Sequence, residues 1–234
     1  MYIFKTKPFQ HQLDIFKESW ERPYYALFME MGLGKSKVII DTIGKLKSEG
    51  KLDSVMIVAP KGVYDNWVKQ EIPNHLDDGI ERFVVRWEPS KTKAFQDNMQ
   101  KLVFEIIAGI KFFIINVEAF STDRGMHAAY YFLKKNPDNM MVIDESTTIK
   151  NRKATRTKNL VKLGAHAKYK RILTGSPVTK SPMDLFSQCQ FLDKMSLGQE
   201  SYFAFQNRYA VIQRKTFGSR SFNEIVGYKR LDEL

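Results

Sequence analysis

Apolar and polar positions follow two rhythms along this chain. Between residues 9 and 20, Phe9, Leu13, Phe16 and Trp20 recur at helical spacing behind Pro8, which predicts an amphipathic helix laying one face on a core. Short continuous apolar runs form the second rhythm: YYALF (24–28), VMIVAP (55–60), RFVVRW (82–87), FFIIN (112–116), MMVIDE (140–145) and RILTG (171–175). Runs of this kind suit strands buried on both faces of a parallel sheet, and Pro60 stops the second of them. Helical patterns lie between. Val63, Trp67 and Ile72 mark one, with Trp67 read as packing. A polar span over residues 91 to about 107 marks another, and the basic stretch TIKNRKATRTK (148–158) begins a third. Ser181, Pro182 and Asp184 give a capping box with proline at the first helical position, so a further helix starts there and runs to Leu192. Alternating strands and helices, without internal repeats, predict an α/β domain with a mostly parallel sheet flanked by helices on both faces.

The first strand run breaks, within ALFMEMGLGKSK (26–37), into glycine, lysine and a hydroxyl residue ahead of another apolar helix. That is how a phosphate site is built. Gly32 and Gly34 let backbone N–H groups reach phosphate oxygens, with Leu33 between them. Lys35 supplies charge for the β and γ phosphates, and the Ser36 hydroxyl can ligate Mg²⁺. The general P-loop pattern has glycine where this chain has Met29, which weighs against a generic P-loop kinase or GTPase. The run MMVIDE is the second anchor. It delivers Asp144 and Glu145 to the same sheet edge, Asp144 to hold Mg²⁺ through water and Glu145 to orient or deprotonate the water that attacks the γ-phosphate.

Other positions carry two readings each. Gln10 and Gln12 can donate to and accept from an adenine edge, or stay solvated. Lys61 follows a strand at the sheet's carboxyl end, where open α/β sheets bind ligands, and is otherwise a solvated loop lysine. The basic stretch 148–158 either tracks a phosphate backbone or forms a solvated helix face. Thr174, Gly175 and Ser176 end a strand, where hydroxyls sense a neighbouring nucleotide or simply cap the turn.

Composition narrows the partners. A chain of 234 residues with 43% apolar and 27% charged residues can bury a full core, and its net charge of +11 favours polyanions such as nucleic acid. The single Cys189, a buried filler in DLFSQCQFL, rules out an intrachain disulfide or a Cys-rich zinc site. No signal region opens the chain, and the most apolar run, 103–120, carries Glu105, Lys111 and Glu118; the expectation is a cytoplasmic protein that does not enter a membrane.

Together these segments resemble the first RecA-like lobe of superfamily 2 helicases, most closely the Snf-type DNA translocases, including phage-encoded members. The resemblance covers nearly the whole chain. PFQHQ is similar to the Q motif, with Gln12 as the adenine contact and Gln10 in reserve; MGLGKS is similar to motif I, in which Met29 is normal for the family. VAPKGVYDNW resembles motif Ia, INVEAF motif Ib, IDESTTIKN motif II and LTGSPVTKSPMDLF motif III. The resemblance implies a RecA-like P-loop fold and an ATP hydrolase using ATP and Mg²⁺. Its catalytic residues are Lys35, Asp144 and Glu145, its nucleotide-binding residues Gln12, Gly32, Leu33, Gly34, Lys35 and Ser36, and its metal ligands Ser36 and Asp144. Contacts to double-stranded or branched DNA fall to Lys61, Lys150, Asn151 and Lys180, and coupling to Thr174, Gly175 and Ser176.

Two departures stand out: Ser146 and Thr147 where many relatives have Ala-His, and Thr179 and Lys180 where many have Gln-Asn. Family members close the ATP site with a second RecA-like lobe that supplies arginine fingers, and nothing after Leu192 resembles one. The expected organisation is a lobe over residues 1–200 and its C-terminal end over 201–234, stopping inside a helix start. Such a piece of a longer protein is expected to be a poor ATPase unless Arg152 or Arg171 completes the site. Other classes are a nucleotide- and DNA-binding module without turnover, and a kinase or GTPase, whose phosphoacceptor lid or guanine-reading Asn-Lys-x-Asp stretch is not visible.

Overall fold

The six apolar runs become six parallel strands: β1 (Tyr24–Phe28), β2 (Ser54–Ala59), β3 (Arg82–Arg86), β4 (Ile110–Asn116), β5 (Asn139–Asp144) and β6 (Tyr169–Thr174). Their spatial order is β1-β6-β5-β2-β4-β3, with every neighbouring pair parallel. The computed structural model describes residues 2–88, 90, 92–217 and 220–234; Met1, Lys91 and residues 218–219, which belong to stretches read above, lie outside the described residues.

Strand β2 shows why these runs lack polar alternation. All six of its residues are buried. Val55, Ile57 and Ala59 enter one core while Met56 and Val58 enter the other. The first core packs under α1 (Gln10–Ser19), α2 (Lys35–Ser48) and the helical segment made of α3 (Tyr64–Asn66), a π-turn (Trp67–Glu71) and α4 (Ile72–His75). The second packs under α5 (Lys93–Phe104), α6 (Asp123–Lys135), α7 (Thr155–Gly164) and α8 (Leu185–Leu192). Helices therefore cover both faces, as the alternation of elements predicts.

Several local readings change. Phe9 precedes α1 rather than joining its apolar stripe, and it is 71% exposed; the buried positions of α1 are Gln12, Phe16 and Ser19. Helix α6 is an element the sequence reading lacks. It starts at a Thr122 cap and buries Gly125, Ala129, Phe132 and Leu133 at helical spacing. The basic stretch after β5 begins as a short 3₁₀ turn (Ser146–Ile149), and its helix starts only at Thr155. The tail is a helix α9 (Tyr202–Tyr209) and an antiparallel hairpin, β7 (Ala210–Phe217) with β8 (Arg220–Tyr228), where only a lobe end and a helix start were expected. A 3₁₀ turn (Leu231–Glu233) stands in place of that helix start. Met183, Phe186, Phe205 and Tyr209 form a small third core that joins this tail to α8.

Arg171 is completely buried, and its guanidinium donates to the carbonyls of Ser19, Arg22, Pro23 and Lys170. It ties the end of α1 to the amino-terminal end of β6, with burial lowering its pKa to about 10. That places it at the opposite end of the sheet from the phosphate loop.

Candidate active site

Strand β1 ends at Phe28, and the chain must then reverse tightly into α2. Two glycines make the reversal: Gly32 has φ +81° and Gly34 φ +79°, the left-handed region that L side chains avoid. Gly34 is the residue just before α2, so free N–H groups of the first helical turn open onto the loop. The Lys35 ammonium donates to the carbonyls of Met29 (3.0 Å) and Glu30 (3.1 Å), which curls the loop around its charge. Ser36 follows on the first turn of α2, half-buried.

Gln12 reaches this loop from α1. Its Nε2 donates to the Leu33 carbonyl at 3.1 Å, and its Oε1 accepts the Phe9 N–H at 3.0 Å. Both ends of the amide are thus engaged inside the protein, and the side chain is 5% exposed. Gln10 is exposed, with its amide on Asp14 at 2.7 Å.

The carboxylates arrive from β5. Asp144 receives a hydrogen bond on each oxygen: the Trp67 indole N–H donates to Oδ2 at 2.8 Å and the Glu145 backbone N–H to Oδ1 at 3.0 Å. Burial pushes the Asp144 carboxyl up from its ordinary range and the Glu145 charge adds to this, while the Trp67 and Glu145 donors and the Lys35 charge pull the other way. Glu145 has φ +49°, a left-handed conformation held at a non-glycine residue.

Strand order explains how the end of β6 joins the site. Because β6 lies between β1 and β5, its carboxyl end touches both neighbours. Thr174 donates to Glu145 Oε2 at 3.3 Å, and the Ser176 N–H donates back to the Thr174 hydroxyl at 3.2 Å. A Cβ on Gly175 would lie 3.3 Å from the Met31 nitrogen and 3.4 Å from the Met29 carbonyl, so this position packs directly on the phosphate loop.

These residues fit a nucleotide with magnesium. The loop offers N–H groups and one ammonium at the end of β1. Among the described residues no group of three or more His, Cys, Asp or Glu side chains could cage a metal alone.

The expected DNA residues are spread along the same edge of the sheet. Lys61 is exposed and lines a cavity of about 510 Å³ with Tyr64, Asn116 and Glu118. Lys150 donates to the Thr179 hydroxyl, which in turn donates to Asp184 at 2.8 Å. Asn151 caps the Lys153 N–H at 3.0 Å, and Lys180 is exposed with its backbone N–H on Asp184. Sequence reasoning missed the neighbour of this group. The Arg152 guanidinium lies 4.0 Å from the Tyr202 ring centre, so α9 walls a cavity of about 440 Å³ with Lys150, Asn151 and Lys153. Adjacent aromatics at 202–203 were the available signal. Ser146, at the first departure noted above, is fully buried and donates to Gln188 Oε1 at 2.6 Å; Gln188 donates to the carbonyls of Pro177 and Asp184, both at 2.8 Å. The exit of β5 is therefore tied to the turn after β6.

Comparison with known proteins assigns the family and the fold. The family model described as "SNF2-related domain" matches residues 21–227. Probable ATP-dependent DNA helicase CHR12 of Arabidopsis thaliana is 31% identical over 170 residues, 70% of this chain and 14% of that protein. DNA annealing helicase and endonuclease ZRANB3 of Bos taurus is 27% identical over 205 residues, 88% of this chain and 17% of that protein. The chain thus spans less than a fifth of either relative. The solved Sulfolobus solfataricus SWI2/SNF2 ATPase core in complex with dsDNA superposes with a TM-score of 0.66 at 22% identity, covering 89% of this chain and 40% of that one, which shows a shared fold. With a family match over most of its length, and the phosphate loop and carboxylate pair at one edge of a parallel sheet, the chain belongs to the SNF2-related domain family.

Proposed function

We propose that this chain is the ATP-binding lobe of a DNA-dependent ATPase of the helicase or translocase type, which binds Mg–ATP and contributes half of a DNA groove. The observation that carries the reading is the Thr174–Glu145 hydrogen bond, because it joins the end of β6 to the candidate base while Gly175 packs on the phosphate loop. Gly32 and Gly34 present backbone N–H groups to phosphate, the Leu33 N–H turns to it from the Glu30 carbonyl at 3.4 Å, and Lys35 exchanges its carbonyl partners for the β and γ oxygens. Ser36 and Asp144 would hold magnesium, which neutralises phosphate charge when bound. Glu145 orients the attacking water and takes its proton. Gln12, with Gln10 in reserve, reads the adenine edge by giving up its present partner, the Leu33 carbonyl for Gln12 or the Asp14 carboxylate for Gln10.

Two considerations support a DNA partner: the net charge of +11, and the similarity to proteins named as DNA helicases. Lys61, Lys150, Asn151 and Lys180 then face the backbone of double-stranded or branched DNA. A second lobe completes the site by supplying an arginine, since Arg171 is locked at the far end of β6 and Arg152 is stacked on Tyr202.

Calorimetry with Mg–ADP and Mg–ATP tests the assignment. Lys35→Ala should weaken binding, and equal affinities would remove the phosphate-loop reading. Duplex DNA should bind with the logarithm of affinity falling by roughly 0.9 per neutralised phosphate against the logarithm of salt. Phosphate release by these 234 residues alone should be slow. An arginine finger contributes on the order of 10³ to 10⁵ in rate. Brisk, DNA-stimulated hydrolysis would overturn the two-lobe reading.

A further inference from the structure

Trp67 is 1% exposed, and its indole N–H donates to Asp144 Oδ2. The other oxygen, Oδ1, accepts the Glu145 N–H. With a donor on each oxygen the carboxylate plane has one orientation, and each oxygen keeps a lone pair for the nucleotide site.

The backbone around Trp67 is irregular in a way that serves this contact. Residues Trp67–Glu71 form a π-turn, closed by the Ile72 N–H on the Trp67 carbonyl. Such a turn carries one residue more than an α-turn, is rare, and gathers at functional sites. Asn66 donates to Glu71 Oε1 at 2.9 Å, bracing the turn from its outer side. Packing alone explains the ring, which fills the core beneath β2. It does not explain the N–H, since a buried indole is satisfied equally by any backbone carbonyl. Here the partner is the carboxylate of the metal site, and the same helical segment begins directly after the exposed loop at residues 61–63.

We propose that Trp67 is a positioning residue for Asp144, holding the carboxylate in the orientation that receives magnesium. This rests on the nucleotide reading above. The chain has three tryptophans, so three indole N–H resonances are expected, and Trp67→Phe assigns one of them. In the nucleotide-free chain, Asp144→Asn should shift the Trp67 indole resonance and leave those of Trp20 and Trp87 in place. By calorimetry, the gain in ADP affinity that magnesium provides should fall about tenfold in Trp67→Phe, the loss of one hydrogen bond to a charged group, while metal-free ADP binding stays at the parent level.

Phe112→Leu is the packing control, since it trims an aromatic ring from the same core. It should lower thermal stability and keep the parent's magnesium dependence. If Trp67→Phe does not fold, benzothienylalanine at position 67 keeps the ring shape without the N–H, and should show the same tenfold loss. An indole resonance unmoved by Asp144→Asn overturns the inference, as does a parent-like magnesium dependence in either Trp67 variant. A parent chain whose ADP affinity ignores magnesium overturns the nucleotide reading, and this inference with it, before any variant is made.

Discussion

Gly32 and Gly34 have the same backbone conformation but different neighbours, and this allows strain and contact to be separated. A Cβ at Gly32 would meet nothing within 4 Å, whereas one at Gly34 would fall 2.3 Å from Gln12 Nε2. Both alanine variants bear the left-handed penalty, about 1–2 kcal/mol, offset by about 0.4–1 kcal/mol because alanine narrows the unfolded ensemble. Gly34→Ala must also push the Gln12 amide off the Leu33 carbonyl, a hydrogen bond with a net value of about 1 kcal/mol. Gly32→Ala should therefore lose about 1 kcal/mol and Gly34→Ala about 2 kcal/mol in urea denaturation. For a chain of this length the extra loss amounts to a melting temperature about 2–4 °C lower. The double variant Gln12→Ala/Gly34→Ala isolates the clash. With the amide gone, the two losses should be less than additive by about 1 kcal/mol. Equal losses for Gly32→Ala and Gly34→Ala, or strict additivity with Gln12→Ala, would refute the claim that Gln12 braces the loop.

Arg171→Met should cost about 2 kcal/mol in urea denaturation, because the Arg22 carbonyl loses its guanidinium donor while those of Ser19 and Pro23 are left with one backbone donor each; a loss under about 0.5 kcal/mol would mean that water replaces the guanidinium. Gln188→Leu strands the Ser146 hydroxyl and the Pro177 and Asp184 carbonyls, and should destabilise by about 2–4 kcal/mol, against about 1 kcal/mol for Ser146→Ala. Burial pushes the Cys189 thiol up to about 11, so an aromatic disulfide reagent at pH 8 should react only as the chain opens, with rates that track urea concentration; prompt labelling of the folded protein would contradict the burial of Cys189.

How much of this was legible in the sequence depends on what each residue answers to. The six strands were readable because both of their faces are buried, which removes polar positions and leaves continuous apolar runs. The glycine-lysine loop after β1 and the Asp-Glu pair after β5 stood out in the sequence by residue type and spacing, and the parallel sheet brings both to one edge. The β7–β8 hairpin was not, since β7 is exposed over most of its length and no core imposes a period of two on it. Helix α6 was hidden because its periodic positions include a glycine and an alanine, which a search for large apolar residues passes over. Gln12 and Trp67 were both noticed, but their partners, a backbone carbonyl 21 residues away and a carboxylate 77 residues away, exist only after the sheet has formed.

The sheet order also gives the left-handed Glu145 a physical rationale. A non-glycine residue in that region bears about 1–2 kcal/mol of strain and keeps it only while its surroundings over-determine it. Here Asp144 Oδ1 accepts its N–H from the β5 side and Thr174 donates to its carboxylate from the β6 side. Thr174 is followed by Gly175, where a Cβ would meet the Met31 nitrogen, the Met29 carbonyl and the Met31 side chain on the loop after β1. Loop, β6 end and Glu145 therefore form one contiguous chain of contacts that does not pass through the interior of β5. On the proposed reading, phosphate entering the loop draws Lys35 from the Met29 carbonyl, which a Cβ on Gly175 would approach to 3.4 Å. One peptide links Gly175 to Thr174, and one hydrogen bond links Thr174 to Glu145. A strained residue keeps its conformation only while its surroundings over-determine it, so removing either contact should release Glu145 from the left-handed region.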